Sequence, residues 1–516
     1  MAAEELLPPA PADRSMSDAS QGRRIGSGLI WSQVGRVFDI GLGLAFSVLV
    51  VRTLGPQAYG AYAVVWSVIN VAALVASAGY SEVLTRYLPE LNLRDRSAGA
   101  ALARRLLQER VVISLIVALV VWVLSAPLAI WTHTPSLVQF TILMGALLLA
   151  QGVWEFLAAY YAANLRMRGQ AAVRLTGQIT GLAIALVWFA ISGIAIWVPL
   201  IAMLGNYLVC IGLYLVGMRE SLVLPGKPAA LHAIRRFGGY VWLTNLATFG
   251  LASQVDVLLI ATLLADATQV SYYNVAAVIL ARLYTVLMGW TGILMPAAAE
   301  VRAQSGKRGL ARIFGLFMKV NLALVVPTFV FLIAWGQALI VTLFGSAFAL
   351  SGALLVIFGL FNLASALVGA NVCHPLLYVA DRQRALLGIR IFAGSLNIVL
   401  DVLLIPHLGA AGAVIGTSIS NLVTHATEFW LLYGAARFSY PVAMAAKVFG
   451  ASLLAVLPAL LIPGTGWINL ILGAVLFAGI FGAMIWWLRP LTPGDQADLA
   501  LTFPRFEPVL RWLTGV

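Results

Sequence analysis

The sequence predicts an all-α polytopic membrane protein with about fourteen transmembrane helices. Three observations carry that prediction. Of 516 residues, 61% are hydrophobic and 10% charged, and the mean hydropathy of +0.95 lies far outside the range of soluble chains. Apolar runs of roughly 20 residues, long enough to cross a hydrocarbon core of about 30 Å, recur along almost the whole chain. Lysine and arginine gather in every second connection between those runs. Strands of a membrane barrel would be shorter and would alternate in polarity, so the spans must be helices.

Residues 1–24 hold Glu4, Glu5, Pro8, Pro9, Pro11 and Asp13 ahead of the first apolar run. They read as a disordered cytoplasmic leader rather than a signal peptide. Polar, turn-rich breaks then place spans at 28–51, 59–80, 109–132, 137–162, 171–192 and 195–218. A basic linker at 219–237 separates these from spans at 238–263, 270–295, 314–337, 350–374, 385–405 and 409–434. A last pair falls at 441–463 and 467–489, followed by a cytoplasmic tail at 490–516. With the N-terminus inside, the inner connections hold Arg86, Arg94, Arg96, Arg104, Arg105 and Arg110, then Arg166, Arg168 and Arg174, then Arg302, Lys307 and Arg308. Outer connections such as "SAPLAIWTHTPS" and "IPGTGW" hold no lysine or arginine, and Arg52 alone departs from the pattern. This alternation follows the positive-inside rule and places both termini in the cytoplasm. It also gives the net charge of +12 a topological meaning, with membrane lipids as the partner and no nucleic acid. Residues 80–110 read as an amphipathic surface helix, Leu102, Leu106 and Leu107 opposing Arg104 and Arg105. Cys210 and Cys373 lie far apart in apolar segments and read as packing residues.

The chain also repeats itself. "RTLGPQAYGAYAVVWSVI" in the first outer turn pairs with "ATLLADATQVSYYNVAAVI" after span seven. "FAISGIAIWVPL" between spans five and six pairs with "LLIPHLGAAGAVIG" between eleven and twelve. The spacing of about 210 residues suggests two six-helix lobes in the same orientation, 25–218 and 238–434, with helices thirteen and fourteen (435–489) appended.

"RTLGPQAYGAYAVVWSVI" resembles the first outer turn of Wzx-type polysaccharide flippases, and "NIVLDVLLIPHLGAAGAVIGTSIS" resembles the helix eleven to twelve signature of the multidrug/oligosaccharidyl-lipid/polysaccharide exporter superfamily. The resemblance covers roughly residues 25–435. It implies two lobes around a central cavity, alternating access, and export of a polyprenyl-diphosphate-linked oligosaccharide across a bacterial inner membrane for surface polysaccharides such as O-antigen. It also implies a polymerase and glycosyltransferases as functional partners. Lipid II flippases of the superfamily share the helix count, but their Arg-Asp, Phe-Gly and Ala-Asp-Ala pattern in the first helix is not seen here. Multidrug exporters usually have twelve helices and acidic cation sites, and fit less well.

The candidate site residues are the ionisable groups that insertion into hydrocarbon penalises by about 3 kcal/mol or more. On span one, Ser32, Arg36 and Asp39 share a face with Gly28, Gly35, Gly43 and Ser47 at steps of three and four. Arg36 and Asp39 could join helices as an ion pair, or line a wet cavity; the cavity role is the reading taken. Arg282 stands about 18 Å along span eight, with no acid three or four residues away. A guanidinium matches a diphosphate with paired hydrogen bonds and never deprotonates. The resemblance points the same way, because superfamily lipid flippases carry cavity arginines on the first and eighth helices. Asp256 lies on a face of span seven with Asn245, Thr248 and Ala252. With Asp39 it is a candidate for a coupling ion, a proton or Na+, and Asn245 is read as cavity-lining. Glu155, Asp401, His425 and Glu428 fall nearer helix ends, where snorkelling or capping explains them; His374 reads as a loop residue.

A membrane-bound ligase or polymerase handling the same substrates would need a substantial outer loop bearing His, Arg or acidic groups, and every outer connection is short and nearly uncharged. No phosphate-cradling glycine loop ending in Lys-Ser/Thr occurs, and no cofactor motif is visible. A channel would need polar stripes in many helices. A carrier with one anion site fits better.

Overall fold

A computed structural model describes residues 18–226, 231–247, 249–288, 291–462 and 464–490, and among them it contains helices and no strand. The leader and the tail at 491–516 lie outside that set, as do the side chains of Ser32 and Arg36. The chain divides into two compact units, the first reaching Phe249 and adding Ala265–Thr268, the second taking Gly250–Leu264 and everything from Gln269 on.

The first unit contains α1 (Asp18–Ala76), α2 (Tyr80–Arg94), α3 (Arg96–Trp131), the short α4 (Ser136–Gln139), α5 (Thr141–Ala163), α6 (Met167–Ser192), α7 (Trp197–Val223) and α8 (Leu231–Ala247). α1 takes in spans one and two and bends at Gly55, whose φ of 71° and ψ of 175° a residue with a side chain rarely adopts. Pro56 follows at once and lacks the N–H that a continuous helix needs. Asp95 starts α3 by accepting the Ser97 N–H at 2.8 Å, and its bonds to Ser97 hold its carboxyl below the ordinary aspartate range. The segment read as an amphipathic surface helix is α2 plus the first turns of α3. Leu102 and Leu106 are fully buried, packed with Leu84, Leu88, Phe156 and Tyr214, while Arg105 is exposed.

The second unit contains α9 (Ser253–Leu264), α10 (Ala267–Leu287, its first two residues in the first unit), α11 (Thr291–Phe344), α12 (Ala349–Leu367), α13 (Cys373–Val379), α14 (Gln383–Leu408), α15 (Ala410–Ala436), α16 (Val442–Ala459) and α17 (Trp467–Leu488). Its core gathers Phe314, Phe317 and Leu322 of α11 with Leu376, Val448 and Phe477, so the appended pair α16 and α17 packs against α11. Large apolar side chains such as Trp122, Val123, Val475 and Trp487 face outward, as lipid-facing positions should. Cys210 and Cys373 are buried and unbonded to one another.

All fourteen sequence-derived spans fall on helices, but among the described residues eleven helices are long and apolar enough to cross a membrane, or twelve if the bent pair α8–α9 counts as one. Two features account for the difference. Phe38–Ala76 counts once although it takes in most of two expected spans, 28–51 and 59–80, and α15 is too rich in Thr, Ser, Asn and His to pass. Span seven is the larger correction. It was expected as one helix over 238–263, whereas α8 ends at Ala247, a short 3-10 turn covers Phe249–Leu251, and α9 starts afresh at Ser253. The division between the two compact units falls inside this span.

The repeat is visible in the backbone. Gly193 ends α6 with φ 64° and ψ −136°; Gly409 ends α14 with φ 62° and ψ −143°. The turn Asn164–Leu165–Arg166 before α6 and the turn Ala380–Asp381–Arg382 before α14 place a left-handed residue at the same step, Leu165 at φ 55° and Asp381 at φ 59°. Both matches are separated by 216 residues.

Candidate functional site

The break in span seven creates a second helix N-terminus in mid-span, and Asp256 stands in the first turn of that new helix. The N-terminal end of a helix favours an anion. α14 approaches the break closely, because Gly394 and Gly250 meet backbone to backbone: a Cβ added to Gly394 would stand 3.3 Å from the Gly250 Cα. That approach lets the Asn397 amide donate to the Gly250 carbonyl at 3.1 Å and to Asp256 Oδ1 at 2.9 Å. One turn further along α14, Asp401 Oδ2 lies 3.3 Å from the same nitrogen. Thr417 of α15 donates to Asp256 Oδ2 at 2.8 Å, and the Tyr273 hydroxyl of α10 donates to the same oxygen.

Asp256, Asn397 and Asp401 are each 0% exposed. Among the described residues no guanidinium or ammonium pairs with either carboxylate. Two oxygens, Asn397 Oδ1 and Asp401 Oδ1, are buried without a hydrogen-bond partner among the described residues. A pair of buried carboxylates with free oxygen lone pairs needs a proton or a cation to balance it. The set of carboxylate, amide and hydroxyl oxygens is the donor chemistry of a hard cation.

Beside this cluster lies a cavity of about 300 Å³ inside the second unit, walled by Tyr273, Tyr284, Asn362, Thr417, Asn421 and His425 among others. Tyr284 donates to Asn362 across one wall. The sequence places Arg282 on α10 near Ala281 and Tyr284, which do line the cavity, but Arg282 is not among its lining residues. Arg282 is half-buried, and no hydrogen-bond or ion-pair partner for it occurs among the described residues.

A second polar cluster lies further along α15. Glu428, fully buried, receives His374 Nδ1 of α13 at 2.8 Å and Arg390 Nη2 of α14 at 3.3 Å on Oε1. His425 Nδ1 stands 3.6 Å from Oε2, beyond hydrogen-bond reach.

These positions correct several expectations. Asp401, Glu428 and His425 do not cap or snorkel: they form buried clusters because α13, α14 and α15 turn their polar faces toward one another. Glu155 is paired too, accepting from Arg110 Nη2 at 3.0 Å. Arg110, counted with the inner loops, is 3% exposed and also donates to the Ala76 and Gly152 carbonyls. His374 is helical, in α13. Asp39 meets Arg174 at 2.9 Å and Gln178 at 3.1 Å, both on α6, so its partner comes from another helix. Ser32 and Arg36 lie on α1 with side chains outside the described set. Asn245 donates to Glu82 at 3.2 Å within the first unit, and the break separates it from the face of Asp256. The intramembrane charges are therefore not confined to spans one, seven and eight; in the first unit Arg110 pairs with Glu155 and Arg174 with Asp39.

Sequence reading found Asp256 and missed its neighbours. Asn397, Asp401, Thr417 and Ser418 all lie within "NIVLDVLLIPHLGAAGAVIGTSIS". The i, i+4 spacing of Asn397 and Asp401 was the available signal.

Residues 49–351 match the family described as polysaccharide biosynthesis protein. The chain belongs to that family. Family membership agrees with the Wzx-type resemblance carried by the first outer turn. Among solved structures, the lipid II flippase MurJ in an inward closed conformation has a TM-score of 0.69 at 14% identity, over 88% of this chain and 98% of that one. A Vibrio cholerae MATE transporter, VcmN, has a TM-score of 0.54 at 14% identity, over 79% and 96%. A transporter of the MOP superfamily from Pyrococcus furiosus has 0.52 at 13%, over 80% and 95%. At these identities the likeness is one of fold: a multi-pass, all-helical membrane protein with the architecture of flippases and exporters. No curated protein matches the chain.

Proposed function

We propose that this polysaccharide biosynthesis protein is a flippase that moves a polyprenyl-diphosphate-linked oligosaccharide from the cytoplasmic to the outer leaflet of a bacterial inner membrane by alternating access. Family membership over residues 49–351, on a flippase fold, is the observation that carries this reading. Arg282 supplies the anion chemistry. A half-buried guanidinium with no carboxylate beside it among the described residues is free to take a diphosphate through two parallel hydrogen bonds. Arg36 is assigned as the second guanidinium. The Asp256–Asn397–Asp401–Thr417 cluster couples transport to a cation. We take that cation to be Na+, because the carboxylate, amide and hydroxyl oxygens gathered there suit a hard cation. No ATP-binding loop is present, so an ion gradient is the energy source. Glycosyltransferases would supply the substrate, and a polymerase would consume the product.

The test is a reconstituted flipping assay with labelled polyprenyl-diphosphate sugars, run against lipid II as the competing substrate. Arg282→Ala is expected to lower flipping at least a hundredfold at unchanged protein abundance. Arg282→Lys is expected to restore part of it, since a point charge lacks the two-pronged geometry. Full surface polysaccharide in cells carrying Arg282→Ala would overturn the assignment, and faster flipping of lipid II would redirect the substrate.

A further inference from the structure

The polar face of α15 joins the two buried clusters of the second unit. Thr417, Ser418, Asn421, His425 and Glu428 follow steps of one, three, four and three, which keeps them on one side of a helix. From Thr417 to Glu428 the face runs roughly 16 Å at 1.5 Å per residue. The 300 Å³ cavity lies along it: Thr417, bonded to Asp256, is in its wall at one end, and His425 is in its wall at the other. At about 30 Å³ per water, that volume holds several water molecules, and the wall offers them partners. Ser418 Oγ is buried and has no hydrogen-bond partner among the described residues.

At the far end, two atoms wait for a proton. His425 Nδ1 and Glu428 Oε2 face each other at 3.6 Å, and both are buried without a hydrogen-bond partner. The other oxygen of Glu428 is already engaged by His374 and Arg390. Arg390 Nη2 also lies 3.2 Å from His374 Nδ1. Because a carboxylate oxygen only accepts, the 2.8 Å contact assigns the Nδ1 proton of His374 to Glu428. The charges of Glu428 and Arg390 cancel, and Nδ1 of His425 faces the second carboxylate oxygen.

The elements packed on α15 define its surroundings. α14 brings Arg390 and Asp401, α13 brings His374 and Cys373, and α9 brings Asp256. α12 carries no titratable side chain. α11, which meets α15 through Phe314 and Phe429, carries Arg312 and Lys319 on either side of that contact.

We propose that His425 and Glu428 form a proton-binding site at the end of this cavity, and that its occupancy controls cation access to the Asp256–Asp401 pair. A proton on His425 lets Nδ1 donate to Oε2 and puts a positive charge on the cavity wall, which opposes entry of a cation. The inference rests on the cation reading of Asp256 and Asp401.

The experiment measures radioactive Na+ binding to the purified full-length protein between pH 6 and pH 8. Wild-type affinity is expected to weaken roughly three- to tenfold from pH 8 toward pH 6. His425→Gln keeps an N–H for Oε2 and cannot titrate, so its affinity should match wild type at pH 8 and fall clearly less than wild type toward pH 6. His374→Gln should keep the pH step. A wild-type profile in His425→Gln, or a flat one in His374→Gln alone, would overturn the proposal. So would a wild type that releases no proton on binding Na+ at pH 6.5, followed with a pH-indicating dye, a measurement that needs no variant. Asp256→Asn separates the two readings. Loss of binding there with an unchanged His425→Gln profile removes only this inference. Binding retained by Asp256→Asn, or absent from wild type, removes the cation site itself.

Discussion

In the second unit, the interior face of α15 carries Thr417, Ser418, Asn421, His425 and Glu428; 216 residues earlier, the corresponding positions of α7 are Ile201, Ala202, Gly205, Val209 and Gly212. The same shift sets Asn397 and Asp401 of α14 against Gly181 and Ala185 of α6. The turns that join the helices kept one geometry, seen at Gly193 and Gly409, while the helix faces they orient diverged completely. Arg390 and Arg174 occupy matching positions, yet Arg390 meets Glu428 of α15 and Arg174 meets Asp39 of α1. Positive-φ glycine turns are dictated by backbone geometry and tolerate little drift. Interior polarity is constrained only by local satisfaction. The first unit answers that constraint with opposite charges, Arg110 against Glu155 and Arg174 against Asp39. The second leaves two carboxylates without a cation among the described residues, which is why the proposed ion site lies there.

Three substitutions would break or sharpen this contrast. The largest stability effect is expected in the first unit. Arg110→Met strands Glu155 and two backbone carbonyls, and breaking a buried pair costs about 3 kcal/mol or more; the lower end applies because Glu155 is 33% exposed. Thermal unfolding of the purified protein should move down by several degrees with Na+ affinity unchanged, and an altered affinity would show that the two units are not electrically separate. In the second unit, Gly416→Ala would set a Cβ 2.5 Å from Asp401 Oδ1. A roughly tenfold loss of Na+ affinity is expected, about 1.4 kcal/mol, read by equilibrium binding. The first unit has Leu200 at the corresponding place, so unimpaired binding in Gly416→Ala would mean that Asp401 holds no cation. The smallest effect is expected at the shared turns. Gly193→Ala and Gly409→Ala each force an alanine into a positive φ, at about 1 kcal/mol. Gly409→Ala should be the worse, because its Cβ would meet the Gln269 side chain at 2.9 Å while that of Gly193 meets open space. Equal unfolding midpoints would argue against the Gln269 contact with the Ala410 N–H.

Much of the architecture was legible in the sequence because hydropathy runs and loop charges report directly on the bilayer, and because Gly193 and Gly409 advertise their turns. Asp256 was legible as a costly intramembrane carboxylate. Its partners were not, since Asn397 reaches it across 141 positions of sequence and periodicity speaks only about one helix at a time. The break in span seven was hidden for a related reason. Residues 248–252, "TFGLA", contain one glycine and no proline, so the apolar pattern runs straight through. The helix stops where Gly250 meets Gly394, a tertiary contact rather than a local signal. Arg110 was misplaced because it stands at a span boundary, where a loop arginine and a buried one look alike on a single line of letters.

The shortness of α9 carries a final consequence. At twelve residues, with its first turn cut free of α8, it has little rigidity of its own, and it rests on α14 and α15, the helices that complete the acid cluster. Loading that cluster would therefore stiffen the piece of chain that presents Asp256, so that filling the site and finishing the fold of the second unit become a single event.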